Sequence, residues 1–178
     1  MDHVLACQYD LRLVALSVAI AILASYAALD LTGRVTEAKG RAQLGWLAGG
    51  SLAMGIGIWS MHFIGMLAYH LAAPVQYDFW KALLSIIPSL LASGLALFLV
   101  SRPHLRLRQL LGGSLVMGLG IFTMHYTGMA AIQIPEAEIH YHLMTVAISG
   151  AIAVGVSFVA LYLAFHLRDE NTPFNLWK

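Results

Sequence analysis

The sequence predicts an all-α integral membrane fold with five spanning helices, and three observations carry that prediction. Only 11% of the residues are charged and 60% are hydrophobic, against about 25% charged in a soluble domain. Five almost uncharged stretches, 13–29, 44–69, 82–100, 110–134 and 143–165, approach the ~20 apolar residues that cross a bilayer. The third observation is an internal duplication at an offset of 63 residues, as between His62 and His125. Gly49-Gly50-Ser51-Leu52-Ala53-Met54-Gly55-Ile56-Gly57-Ile58 aligns without a gap on Gly112-Gly113-Ser114-Leu115-Val116-Met117-Gly118-Leu119-Gly120-Ile121. Met61-His62-Phe63-Ile64-Gly65-Met66 aligns on Met124-His125-Tyr126-Thr127-Gly128-Met129.

Each stretch is read as a helix because backbone polar groups in lipid must be satisfied within the segment. The first is short but extends to Asp10 or Asp30 with tilt or snorkelling. The second and fourth carry the duplicated motifs near their ends. The third holds Pro88 midway, where a lost N–H and a ring clash predict a kink. Of ten Lys and Arg, eight fall on one side: Arg34, Lys39, Arg41, Arg102, Arg106, Arg108, Arg168 and Lys178. Arg12 and Lys81 fall on the other, both at helix starts. The basic side belongs in the cytoplasm, so the N-terminus is expected outside and the C-terminus inside. Trp80 and Trp46 then sit at opposite interfaces. His3, His62, His70, His125, His140 and His142 gather towards the outer side, and His104 and His166 lie inside. A net charge of +1 gives no case for nucleic acid. The lone Cys7 excludes an internal disulfide. The start Met1-Asp2-His3 lacks the basic region of a cleaved signal peptide.

A second repeat marks the descending helices. Tyr9-Asp10, Tyr77-Asp78 and Tyr141-His142 precede Ser25, Ser93 and Ser157 by the same 16 residues. Each unit is thus a descending helix, a basic loop and an ascending helix with the histidine motif. The first covers 9–70 and the second 77–133; 141–167 is the descending helix of an incomplete third, followed by a charged tail, 168–178. The missing half is expected either beyond this stretch of sequence or from another chain. Helix five should then show a polar or small-residue face without its partner, which homo-oligomerisation would cover.

A histidine between methionines in apolar sequence is costly unless it has a task. Residues four apart share a helix face, so His62 pairs with Met66 and His125 with Met129, while Met54–Met61 and Met117–Met124 form separate faces. Imidazole and thioether make a soft, neutral set suited to Cu(I), or to Cu(II) with further nitrogen or oxygen donors. Zinc prefers thiolate, imidazole or carboxylate, and calcium and magnesium want oxygen. Asp10 and Asp78, with His140 and His142, could build a harder site, although helix capping explains the aspartates more simply. Methionines in membrane helices ordinarily pack as filler, and a single buried histidine can bond a backbone carbonyl. Two histidines at matched depth with the same sulfur frame favour a bound metal or cofactor. Gly55, Gly57, Gly65, Gly118, Gly120 and Gly128 read as close-packing positions, and Ser25, Ser93 and Ser157 as interhelical hydrogen bonders.

Met124-His125-Tyr126-Thr127, with the degenerate copy Met61-His62-Phe63-Ile64 and the Tyr-Asp helix starts, resembles the MHYT family of bacterial membrane sensor domains over essentially the whole chain. The resemblance implies three motif repeats and up to seven helices, N-terminal to a cytoplasmic signalling domain in the bacterial cytoplasmic (inner) membrane. It implies copper bound near the outer face by Met61, His62, Met66, Met124, His125 and Met129, and sensing of oxygen, carbon monoxide or nitric oxide. The third motif and an output domain do not occur within these 178 residues.

The leading expectation is therefore a multi-pass sensory module in the lipid bilayer, with copper between His62 and His125, a diatomic gas or redox change as signal, and a cytoplasmic output domain as partner. Haem with His62 and His125 as axial ligands is the first alternative. A metal transporter or conduit is the second. No nucleophile–base or acid–base constellation points to an enzyme.

Overall fold

The computed structural model describes residues 7–71, 74–134 and 141–167. His3, His140, Arg168, Lys178 and the tail 168–178 lie outside the described residues. Among the described residues, five helices are long and apolar enough to span a membrane. They are α1 (Leu11–Glu37), α2 (Arg41–Leu67), the pair α3 (Phe79–Leu84) and α4 (Ile86–Val100), α5 (Leu107–Met129) and α6 (Leu143–Leu167).

The helix ends differ from the apolar stretches for local reasons. The Asp10 carboxylate accepts from the Arg12 N–H at 2.8 Å and so caps α1. At its other end α1 runs on to Glu37, because Asp30 and Arg34 neutralise each other at 2.7 Å across one turn. The Arg34 guanidinium also lies 5.0 Å above the Trp46 ring. Gly40, at φ 59°, then turns the chain into α2. In the third span the break falls at Ser85, between α3 and α4, rather than at Pro88 itself. Proline cannot donate to the carbonyl four residues back, which is that of Leu84, so the ladder opens there. Trp59 and two serines serve the opened segment. The indole Nε1–H donates to the Ala82 carbonyl at 3.1 Å and to Ser85 Oγ at 2.9 Å. Ser85 and Ser89 donate back to Ala82 and Ile86.

The ascending helices stop at Leu67 and Met129, short of the apolar runs, because the chain then pairs as strand. β1 (Cys7–Tyr9) lies antiparallel to β2 (Tyr69–Leu71), and β3 (Gln76–Tyr77) to β4 (Ile132–Gln133). The Asp10 and Asp78 N–H groups extend these ladders to the carbonyls of Ala68 and Ala131, at 2.9 and 2.7 Å. Each motif-bearing helix is thereby tied to the start of the descending helix of its own unit.

Packing runs α1–α2–α4–α5–α6, with α4 in the middle. Duplicated glycines set the two kinds of interface. A Cβ on Gly55 would stand 2.8 Å from the Leu90 Cα, and one on Gly118 2.6 Å from the Val154 Cα. Two residues on, Gly57 and Gly120 face Ala24 and Ala92 on the opposite side. Each ascending helix is thus clasped closely by a descending helix on either flank, as small residues in membrane helices allow. The serine expectation needs correction. Ser25 donates to Ala21 in its own helix, and Ser93 and Ser157 are buried with no partner among the described residues. Among the described serines, Ser17 donates between helices to the Met61 carbonyl at 2.7 Å and Ser89 to the Gly55 carbonyl at 3.0 Å. The outward surface of α6 is largely big and apolar (Leu143, Ile148, Ile152, Val156), while Ala160 and Ala164 line a cavity of about 410 Å³ between α6, α4 and α1.

Candidate metal centre

The two motif histidines meet. His62 on α2 and His125 on α5 have ring centroids 4.9 Å apart, with ring planes at 65°. His62 Nε2 is buried and has no hydrogen-bond partner among the described residues. A buried imidazole nitrogen without a protein partner is open to a ligand.

Aromatic rings brace the pair on both sides. Phe63 stands edge-on to His62 at 5.6 Å, and Trp59 lies 4.6 Å behind Phe63. Since the Trp59 indole is tied to Ala82 and Ser85, this wall is anchored to the break in the third span. On the other side Tyr126 stands perpendicular to His125 at 4.9 Å. The Tyr126 hydroxyl pairs with Ser149 Oγ at 2.9 Å, which ties His125 to α6, and Tyr141 packs on Tyr126 at 5.7 Å.

Sulfur is grouped beside His62. Met61, His62, Met66 and Met129 line one cavity of about 580 Å³, together with Tyr9, Tyr69 and Tyr77. Met124 is not among them; it is packed in the core, 1% exposed. The separate methionine face also forms, since Met54, Met61 and Met117 line the other cavity, nearer the basic end. Of the six expected ligands, Met61, His62, Met66 and Met129 line this cavity, with Met61 reaching both cavities, while His125 does not line it and meets the group through its ring contact with His62. Burial raises the Tyr77 phenol above its ordinary range, and burial followed by Tyr126 does the same to Tyr141. These phenols stay neutral at physiological pH.

No harder site assembles among the described residues. Among the described residues no group of three or more His, Cys, Asp and Glu could hold a metal. Asp10 and Asp78 cap helices, the latter accepting from the Trp80 and Lys81 N–H groups at 3.0 and 3.1 Å. His70 Nδ1 lies 3.4 Å from the Ala68 carbonyl, and His166 Nδ1 2.8 Å from that of Tyr162. The soft set is therefore what the fold brings together. Sequence reasoning did not single out Ser17, Trp59 or Tyr69; of the tyrosines lining the cavity, Tyr9 and Tyr77 carried a signal, since each stands beside a capping aspartate.

The MHYT family model, described as a bacterial signalling protein N-terminal repeat, matches residues 1–45, 55–113 and 118–174. The chain is 50% identical over 167 residues to the bifunctional diguanylate cyclase/cyclic di-GMP phosphodiesterase MucR of Pseudomonas aeruginosa, a match covering 94% of this chain and 24% of that protein. It is 43% identical over 163 residues to the signaling protein YkoW of Bacillus subtilis, covering 92% of this chain and 20% of that one. With the cyclic di-GMP phosphodiesterase NbdA of Pseudomonas aeruginosa it shares 38% over 166 residues, or 93% and 21% of the two chains. The chain thus spans between a fifth and a quarter of the length of these curated relatives. No solved structure matches it. A repeat model that recurs three times along the chain, on helices whose interfaces are themselves repeated, establishes that the chain belongs to the MHYT family.

Proposed function

We propose that the chain is a copper-binding sensory module of the bacterial inner membrane, with His62 and His125 holding the ion and sulfur from Met61, Met66 and Met129 completing its surroundings. The observation that carries this reading is the buried, unpartnered His62 Nε2 set against the His125 ring. His62 and His125, with ring centroids 4.9 Å apart, are close enough to hold one ion together, whereas a haem would need room for its macrocycle between the two rings. Their proximity supports copper over haem. The proposed donors are imidazole and thioether, and among the described residues no group of three or more His, Cys, Asp and Glu forms, which favours the singly charged Cu(I) over harder divalent ions.

Copper, when bound, supplies a soft centre whose preferred geometry changes with oxidation state or with a diatomic ligand such as oxygen, carbon monoxide or nitric oxide. The protein's part is to hold the imidazoles at a fixed separation and to couple that separation to its helices. His125 is braced by Tyr126, and Tyr126 bonds Ser149 on α6, so a change at the ring pair bears on α6. With the histidine end outward, the orientation that the positive-inside rule favours, α6 carries the change towards the cytoplasm and an output domain there. The cyclic di-GMP chemistry named for MucR and NbdA belongs, in this reading, to parts of those proteins beyond the region aligned here.

The test is elemental analysis of protein purified in detergent, with His62→Ala and His125→Ala alongside, and one optical spectrum. Stoichiometric copper lost in either variant supports the reading. Unchanged copper in both variants contradicts it, and a Soret band that vanishes without His62 would replace it with haem.

A further inference from the structure

Gly65 and Gly128 occupy the same place in the two motif copies, yet they face different things. A Cβ on Gly65 would have as its nearest neighbour Ser17 Oγ at 3.5 Å, an ordinary contact. A Cβ on Gly128 would lie 3.3 Å from His62 Nε2 and 3.3 Å from Phe63 Cζ. Gly128 stands three residues after His125, so both lie on the face of α5 that meets α2. It is buried, and the atom it faces is the imidazole nitrogen that has no partner.

Resting on the copper reading, we infer that Gly128 is a positioning residue that keeps the approach to His62 Nε2 open. An ion at about 2 Å from that nitrogen brings its remaining ligands into the next few ångströms. A methyl group from Gly128→Ala would take part of that space. The crowding has no easy outlet through Phe63, because Trp59 backs that ring at 4.6 Å and is itself held by Ala82 and Ser85. The imidazole must therefore turn or lose room on its free side. In a sequence alignment of the two copies this glycine is indistinguishable from its harmless counterpart; only the tertiary contact separates them.

The experiment is a competitive Cu(I) titration against a chromophoric chelator, using the full chain in detergent, with helicity followed by circular dichroism. Gly128→Ala should bind Cu(I) at least about tenfold more weakly, the effect expected of groups that position metal ligands, with helicity unchanged. Gly112→Ala is the control, since a Cβ there meets nothing within 4 Å on the same helix; it should bind as the parent does. Adding Phe63→Leu to Gly128→Ala should restore much of the affinity by freeing space. Wild-type affinity in Gly128→Ala would overturn the inference, as would equal weakening in Gly112→Ala or no recovery in the double variant. A parent chain that takes up no copper would overturn the copper reading itself and this inference with it.

Discussion

The two copies of the histidine motif are nearly identical in sequence and unequal in surroundings. In the first, His62 stands against Phe63, which itself packs on Trp59, and its Nε2 has no partner among the described residues. In the second, His125 is backed by Tyr126, whose hydroxyl reaches Ser149 on the next descending helix. Phe63 has no hydroxyl, so the first copy has no such tie. One copy therefore offers an unsatisfied nitrogen and the other connects its ring to the bundle. Duplication reproduces the helix and its glycine interfaces, and the division of labour arises from what each copy packs against.

The largest effect expected from breaking this pair is on metal. His62→Ala or His125→Ala should lower Cu(I) affinity by at least about a hundredfold, beyond the 10–100-fold typical of supporting residues, as read by competitive titration. If one histidine proves dispensable, the two copies do not share an ion. Next come the glycine interfaces, where the copies should behave alike. Gly55→Ala and Gly118→Ala push a methyl against the backbone of Leu90 and Val154. Each should destabilise by roughly 1–3 kcal/mol as overpacking does, measured by unfolding in detergent. Gly45→Ala, with nothing within 4 Å, should be neutral or slightly stabilising through helix propensity. Tyr126→Phe makes the second copy resemble the first and should cost about 0.5–1.5 kcal/mol from one lost hydrogen bond. Phe63→Tyr should recover nothing in exchange. The smallest effects belong to the caps. Asp78→Ala removes two N–H contacts and Asp10→Ala one. Both should lie near 1 kcal/mol, with Asp78 the larger; the reverse order would mean that the carboxylates do more than cap.

Much of this architecture is legible in the residues. Hydropathy alone locates the five spans, since lipid leaves the backbone few alternatives to a helix. The duplicated glycines announce close packing, and their partners Leu90 and Val154 confirm it at the same depth in both units. The boundaries were harder. Nothing in Asp30 or Arg34 separately says that they pair and let α1 continue to Glu37. The break at Ser85 follows from Pro88 only when the orphaned carbonyl is counted four residues back. The short ladders at Tyr69–Leu71 and Ile132–Gln133 lie at the ends of apolar runs that read as helix. At the centre, helical periodicity places Met66 with His62 and Met129 with His125. It cannot say that Met124 turns to the core while Met61 reaches the cavity, because that depends on how α2 and α5 are rotated against each other.

The central claim is that one copper ion is shared by the two imidazoles. Copper K-edge X-ray absorption on Cu(I)-loaded protein, compared with the His62→Ala variant, tests it most directly. The account predicts two nitrogen neighbours at about 2 Å with sulfur beyond them in the parent, and the loss of that shell in the variant. A shell of sulfur alone, or one that His62→Ala leaves unchanged, would contradict it.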